Sequence, residues 1–315
     1  MTASGDRPRV AVFGPDPLLS ITIEERGGGD EVHVHAAGQG VWVARMAGEL
    51  GADPVLCALL GGETGGALEP MLRALPGGLR VAPMAASNGA YVVDRRGGER
   101  QTIALASRPA PQRHELDDLV AATCAAALTC TALVVCNPFP PEGFPLQIYE
   151  TILADVRAAG VPVLADLSSP RLDRTLPYAP DLIKLNDWEL AEYVRGPVDG
   201  PRALEAAQKL QHAGATSVVV TRAAGPILVL PAGDEPYEIV PPPFPRGFRE
   251  GCGDTMMGAI AAAWARGLSL RESLVLGAAA GSANFLRHGL GTGSRAVVEE
   301  LAAQIAVRPL VRTAA

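Results

Sequence analysis

Short runs of apolar residues alternate along this chain with longer stretches in which apolar positions recur every three or four residues. "RVAVFG" (9–14) is a short apolar strand that ends at a glycine. "SITIEE" (20–25) and "EVHVHA" (31–36) alternate apolar and polar side chains, the mark of half-exposed strands, and "RGGGD" (26–30) turns between them. A helix is predicted from about 40 to 50, a buried strand over 53–62, and a hairpin over 89–104 with Gly97 and Gly98 at its tip. From about residue 114 the rhythm is strict. Helices over 114–128 and 145–159 precede strands 132–136 and 161–166. "DLIKLN" (181–186) leads into a helix over 186–195, and a helix over 201–213 leads to strand 217–221. Helices near 254–266, 269–286 and 294–306 close the chain. Strands alternating with helices imply a parallel, doubly wound α/β sheet. The hairpin-like pieces break that rhythm and read as a small β appendage.

Composition narrows the function classes. The 315 residues suit one large domain, 1–315, carrying an appendage, and 48% hydrophobic content fills a large core. Net charge is -7 and no basic block appears, which argues against nucleic acid and against an anionic membrane surface. No apolar run is long enough to span a bilayer. Cys57, Cys124, Cys130, Cys136 and Cys252 form no CxxC pair, and no signal peptide is evident, so a cytoplasmic protein with reduced thiols is expected.

The chemistry concentrates in "REGCGDTMMGAIAAAW" (249–264). Met257, Ile260, Ala261 and Trp264 fall on one helical face, so Gly251, Cys252, Gly253 and Asp254 lie at a helix entry. Free N–H groups and the positive dipole end attract anions there, and glycines let the anion approach. Asp254 can serve as an N-cap, or as a general base that takes a hydroxyl proton while the N–H groups hold a transferring phosphoryl group.

"GCGDTMMGA" resembles the C-terminal GAGD signature of the ribokinase-like (PfkB) sugar kinases, and the resemblance runs from about residue 9 to 305. "AAGQGVWVARMAGELGADPVLCALLGGETG" (36–65) is similar to the family's glycine-rich segment, helix and following turn. "DLIKLNDWEL" (181–190) is similar to its K-x-N-x-x-E segment, "SVVVTRAAGPILVL" (217–230) to its phosphate-side strand and turn, and "LGAAAGSANFLRHGLGTGSR" (276–295) to its adenine-side helix and loop. The nearest branch is that of 1-phosphofructokinase and tagatose-6-phosphate kinase. The resemblance implies a doubly wound, mostly parallel sheet flanked by helices, with a β lid formed by segments of about 20–36 and 86–105. It implies ATP-dependent phosphoryl transfer to a hydroxyl of a sugar or sugar-like molecule, with Mg²⁺.

Carried over residue by residue, Asp254 matches the catalytic base and Gly251, Cys252 and Gly253 the anion hole. Asn186 and Glu189 match the Mg²⁺–phosphate region, although an N-cap with an acidic first turn is equally written there. Thr221, Arg222 and Gly225 match the nucleotide turn, where Ala223 and Pro226 replace family glycines. Asn284 falls near the adenine or in the core. The sugar end departs from the pattern. Asp16 and Ser20 stand where the family writes N-P-A-x-D, and Gly38, Gln39 and Trp42 lie in "AGQGVW", with Gln39 for a lysine and Trp42 for an asparagine. Ser87 stands where the phosphosugar branch has a lid arginine. Arg249, before the anion hole, pairs either a phosphate or a carboxylate such as Glu250. Losing two cations leaves a substrate phosphate poorly paired, so an uncharged acceptor is expected. A catalytically silent relative that binds a metabolite as a sensor is the alternative, and a homodimer through the lid is expected. A Rossmann dehydrogenase is disfavoured, because no GxGxxG follows the first strand.

Overall fold

The structure is a computed structural model that describes residues 7–141, 143–223, 225–287 and 292–310. Its main sheet has the order β14-β13-β12-β11-β10-β9-β8-β1-β4-β5. Seven strands, β1 (Arg9–Phe13), β4 (Asp53–Leu60), β5 (Leu79–Pro83), β8 (Ala132–Cys136), β9 (Val163–Asp166), β10 (Leu182–Asn186) and β11 (Val218–Thr221), pair with one another in parallel. The strands β12 (Ile227–Leu230), β13 (Tyr237–Val240) and β14 (Ala306–Pro309) extend one edge antiparallel.

Alternation along β1 explains the layering. Val10 and Val12 point into one core, and Ala11 and Phe13 into the other. The first core is closed by α1 (Gln39–Glu49), α8 (Cys252–Ala265), α9 (Leu270–Phe285) and α10 (Arg295–Ala302). The second is closed by α3 (Arg113–Ala127), α4 (Gln147–Ala158) and α7 (Pro201–His212). The remaining helices are α2 (Gly62–Arg73), α5 (Arg171–Thr175) and α6 (Asp187–Val194). Helix α1 approaches β1 closely, and a Cβ on Gly40 would lie 2.4 Å from the Gly14 Cα. No helix among the described residues is long and apolar enough to cross a membrane.

The appendage is a separate sheet of order β3-β2-β6-β7, made by β2 (Leu18–Arg26), β3 (Gly29–Ala37), β6 (Ala90–Asp94) and β7 (Gln101–Ala106). Its bounds lie close to the segments expected for the lid. A buried bidentate ion pair ties its two crossings to the body. Arg108, just past β7, donates from Nη2 to Asp16 Oδ2 at 2.7 Å and from Nε to Oδ1, and Phe139 N–H donates to the same Oδ2 at 3.2 Å. Asn88 adds a third tie, donating to the carbonyls of Pro17 and Leu59 and accepting from Gly61 N–H.

Three expectations need correction. The closing helix stops at Ala302 instead of 306, and residues 306–309 form β14. Strand pairing with β13, in which Val240 meets Ala306 and Tyr237 meets Pro309, overrides the local helical pattern. The strand expected over 53–62 stops at Leu60, because Gly62 takes φ 61 and opens α2. Ser87 lies in the loop before β6 and packs over Gly62, not in a lid strand. Residues 288–291 of the expected adenine-side loop lie outside the described residues.

Candidate active site

The carboxyl ends of β9, β10 and β11 and the amino end of α8 meet at one edge of the sheet, the usual place for a ligand cleft in an open α/β fold. Parallel register sets Lys184 opposite Asp166 and Asn186 opposite Thr221. Lys184 Nζ lies 2.9 Å from Asp166 Oδ2, and the two side chains are only 5% and 4% exposed. That pair had no place among the candidate residues. Its signal was available, since a lysine inside the apolar strand "DLIKLN" needs a buried partner.

Asp254 stands in the first turn of α8 beside this pair. It is not the N-cap. That position belongs to Gly251, whose φ of 73 lies in the left-handed region that glycine alone takes without strain. Thr255 fastens the turn, donating from Oγ1 to the Gly251 carbonyl at 2.6 Å. Asp254 is free of the cap, and desolvation raises its pKa, helped by the negative charges of Asp166 and Glu189 and opposed by Lys184, to about 7. A carboxyl poised near neutrality is matched to general-base work.

The N–H groups of Gly251 and Gly253 have no acceptor among the described residues, whereas Cys252 N–H donates to the Arg249 carbonyl at 3.3 Å. A Cβ on Gly253 would come 2.9 Å from Lys184 Nζ, so the ammonium closes on the same helix entry. Two open N–H groups, a helix N-terminus and a lysine make a compact anion cradle. Asn284 holds the loop beneath it. It is fully buried, donates to the Glu250 carbonyl at 2.9 Å and the Cys252 Sγ at 3.4 Å, and accepts from Thr292 N–H. The Cys252 thiol donates to the Phe248 carbonyl, and burial pushes its pKa up, which suits packing better than nucleophilic attack.

Asn186 caps α6. Its Oδ1 accepts from Glu189 N–H and Glu189 Oε2 accepts from Asn186 N–H, both at 2.8 Å, a closed capping box. The carboxamide oxygen of Asn186 is thereby committed, and Glu189 Oε1 is the oxygen left for a cation. Among the described residues no three His, Cys, Asp or Glu side chains converge on a metal site. A Mg²⁺ held by one carboxylate, water and substrate phosphates fits that donor set. Burial, first, and Asp166 raise the Glu189 pKa. Arg222 turns away from the cleft, with Nη2 2.5 Å from Glu238 Oε1 and Nε donating to the Pro226 carbonyl, and Gly225 N–H closes that turn on the Arg222 carbonyl. The Thr221 hydroxyl makes a long contact, 3.5 Å, to the Leu185 carbonyl.

At the sugar end, several candidates are already occupied. Asp16 is held by Arg108. Gln39 spans two strand ends, donating to the Asp166 carbonyl at 3.1 Å and accepting from Asn137 N–H at 2.7 Å. Gly38 is the N-cap of α1, with φ 115. Trp42 packs on Leu18, Ala37, Tyr91 and Val93, which joins α1 to the lid. Arg249 is exposed and makes no ion pair with Glu250. Ser20, in β2 of the lid itself, is 1% exposed and lines a cavity of about 570 Å³.

A carboxyl raised toward neutrality at a glycine-opened helix entry, beside a buried lysine at the carboxyl edge of a parallel sheet, is an arrangement suited to phosphoryl transfer in an α/β enzyme. The chain belongs to the pfkB family of carbohydrate kinases, whose model matches residues 21–296. It is 29% identical over 316 residues to the ATP-dependent 6-phosphofructokinase isozyme 2 of Mycobacterium tuberculosis, covering 95% of this chain and 91% of the relative. It is also 29% identical over 254 residues to the 1-phosphofructokinase of Rhodobacter capsulatus, with 78% of each chain covered. Among solved structures, phosphofructokinase-2 from Escherichia coli in complex with potassium superposes with a TM-score of 0.81 at 23% identity, over 95% of this chain and 98% of that one. The ribokinase of Arabidopsis thaliana superposes at 0.72 and 21%, over 94% and 98%. The sensor alternative gains no support from these relatives.

Proposed function

We propose that this kinase uses Asp254 to deprotonate a sugar hydroxyl as that oxygen attacks the γ-phosphorus of ATP. The O–P bond to the acceptor forms, the bond to the β-phosphate oxygen breaks, the proton passes to Asp254, and ADP leaves. The N–H groups of Gly251 and Gly253, with Lys184, face the charge on the transferring group. When bound, Mg²⁺ would neutralise charge on the phosphates, and Glu189 is the residue that would hold it. The observation that carries this reading is Asp254 itself, free of the capping role and raised to about 7. The whole chain is read as one ribokinase-like unit in which the lid covers this cleft.

The test is ATP consumption across a panel of sugars, sugar phosphates and nucleosides, with and without Mg²⁺. Mg²⁺-dependent phosphorylation of a panel alcohol is expected; Mg²⁺-independent turnover or none with any alcohol would contradict it. A lid-mediated homodimer belongs to the same proposal. Support comes from an apolar stripe in which Val32 and Val34, 60% and 50% exposed, stand opposite Ile23 and Ile21. Val32→Asp should then lower the mass measured by light scattering.

A further inference from the structure

A second cavity, of about 500 Å³, opens at the amino edge of the main sheet, the edge opposite the catalytic cleft. Its walls come from the residues just before β10 and β11, from the β12–β13 hairpin, and from the turn that leads from α8 into α9. Trp264, near the end of α8, is one of them. It stands ten residues beyond Asp254 on the same helix, so about 15 Å separates the cavity from the base at a rise of about 1.5 Å per residue. No residue of this wall belongs to the catalytic cleft or to the lid.

Tyr237 also lines the cavity. Pairing with Val229 and Pro309 fixes it between β12 and β14, it is only 4% exposed, and its hydroxyl has no hydrogen-bond partner among the described residues. Buried polar groups in folded proteins are normally satisfied, so this hydroxyl points to a missing polar partner. Burial, first, raises its pKa, so it keeps its proton and can donate as well as accept. Charges of opposite sign act on it from two sides. The Arg271 guanidinium lies 4.6 Å from the centre of its ring, and Asp234 is the second charge. Arg271 and Asp234 form no ion pair among the described residues, with each other or with any other group. Asp234 Oδ1 accepts from Glu235 N–H at 2.8 Å, which leaves Oδ2 open. Asp181 differs, because its Oδ2 accepts from Arg157 at 2.6 Å and from Val163 N–H at 2.9 Å and is thereby neutralised.

We infer that this cavity binds a zwitterionic aromatic molecule of the α-amino acid type, with its carboxylate on Arg271, its ammonium on Asp234, its ring on Trp264, and the Tyr237 hydroxyl bonded to the charged head. A carboxylate and an ammonium carried on one carbon match two opposite charges that flank a single tyrosine. The indole of Trp264 offers a flat face for the ring. Arg271 lies in the first turn of α9, whose positive end favours a carboxylate on that side. A dianionic phosphate would set its charge against Asp234, and a neutral sugar would leave both charges unpaired. Binding here does not require phosphoryl transfer at the other edge of the sheet.

Calorimetric titration of the full chain without ATP tests it. The probes are phenylalanine and tryptophan, against 3-phenylpropionate, which lacks the ammonium, phenethylamine, which lacks the carboxylate, and alanine, which lacks the ring. One of the aromatic amino acids should bind at least about fivefold more tightly than each of the three analogues. Arg271→Gln should remove its advantage over phenethylamine, and Asp234→Asn its advantage over 3-phenylpropionate. Both residues are exposed, so both variants should melt with the parent. Tyr237→Phe should weaken the amino acid several-fold. No binding of either amino acid at millimolar concentration, equal binding of a singly charged analogue, or a preference that survives in both charge variants would overturn the assignment. Because the readout is binding without turnover, failure of the kinase reading would show separately, as amino acid binding with no ATP consumption.

Discussion

Replacing Lys184 by methionine removes the cation buried among Asp166, Glu189 and Asp254. With Nζ 2.9 Å from Asp166 Oδ2, the gross attraction is about 6 kcal/mol at an effective dielectric of about 20. Desolvation offsets part of it, but removing one partner leaves the other charge buried, which costs about 3–5 kcal/mol. That is a large share of a typical folding free energy of about 5–15 kcal/mol, and corresponds to a Tm loss of roughly 5–8 °C for a chain of this length. The pH dependence identifies the cause. Asp254, already raised to about 7 by burial and its acidic neighbours, loses its attractive partner and rises further. A carboxyl whose folded pKa is raised binds its proton better in the folded state, so its contribution to stability is present at low pH and is lost as pH rises through the folded value. The Lys184→Met deficit should therefore be small near pH 5 and largest at pH 8. Thermal denaturation of both proteins, followed by circular dichroism from pH 5 to 8, measures this. A deficit under 2 °C at pH 8, or one that grows on acidification, would refute the reasoning.

Three further outcomes follow from the same geometry. Because kcat/KM reports the free enzyme, it should fall about tenfold per pH unit below about 7, as Asp254 takes up its proton; a flat profile from pH 5.5 to 8 would contradict that. Arg108→Met should destabilise the fold by about 3–5 kcal/mol in urea titration, because it strands buried Asp16. The Arg108→Met, Asp16→Leu double variant should recover most of this loss, and a double variant no better than the single one would show that the ion pair is not the cause. Gly253→Ala should lower kcat at least tenfold with little change in Tm, since the added methyl displaces only the tip of Lys184; unchanged kcat would take Lys184 away from the reacting phosphate.

Much of the fold is legible in the sequence, because local pattern and tertiary demand agree. Most of the apolar main-sheet strands up to β11 and the periodic helices between them are read to within about two residues, although β5 is missed, and the alternating strands of the lid stand out against them. What escapes depends on distant partners. β14 is a strand because β13 offers an open edge, and nothing in "AVRP" announces that. Helix α2 hides behind its own glycines and an internal Pro70. Asp254 is found by its glycines. The fate of Asp16 and Gln39 is not, since Arg108 lies 92 residues from the first and Asp166 127 from the second.

The central claim is that Asp254 is the base that activates the acceptor, and its most direct test is single-turnover phosphoryl transfer by Asp254→Asn at saturating ATP, Mg²⁺ and acceptor. Asparagine keeps the shape and removes the proton-accepting charge. The rate constant should be lower by about three orders of magnitude, with nucleotide affinity within about threefold of the parent. A rate within tenfold of the parent would show that the proton leaves by another route, and would reduce Asp254 to a bystander at the helix entry.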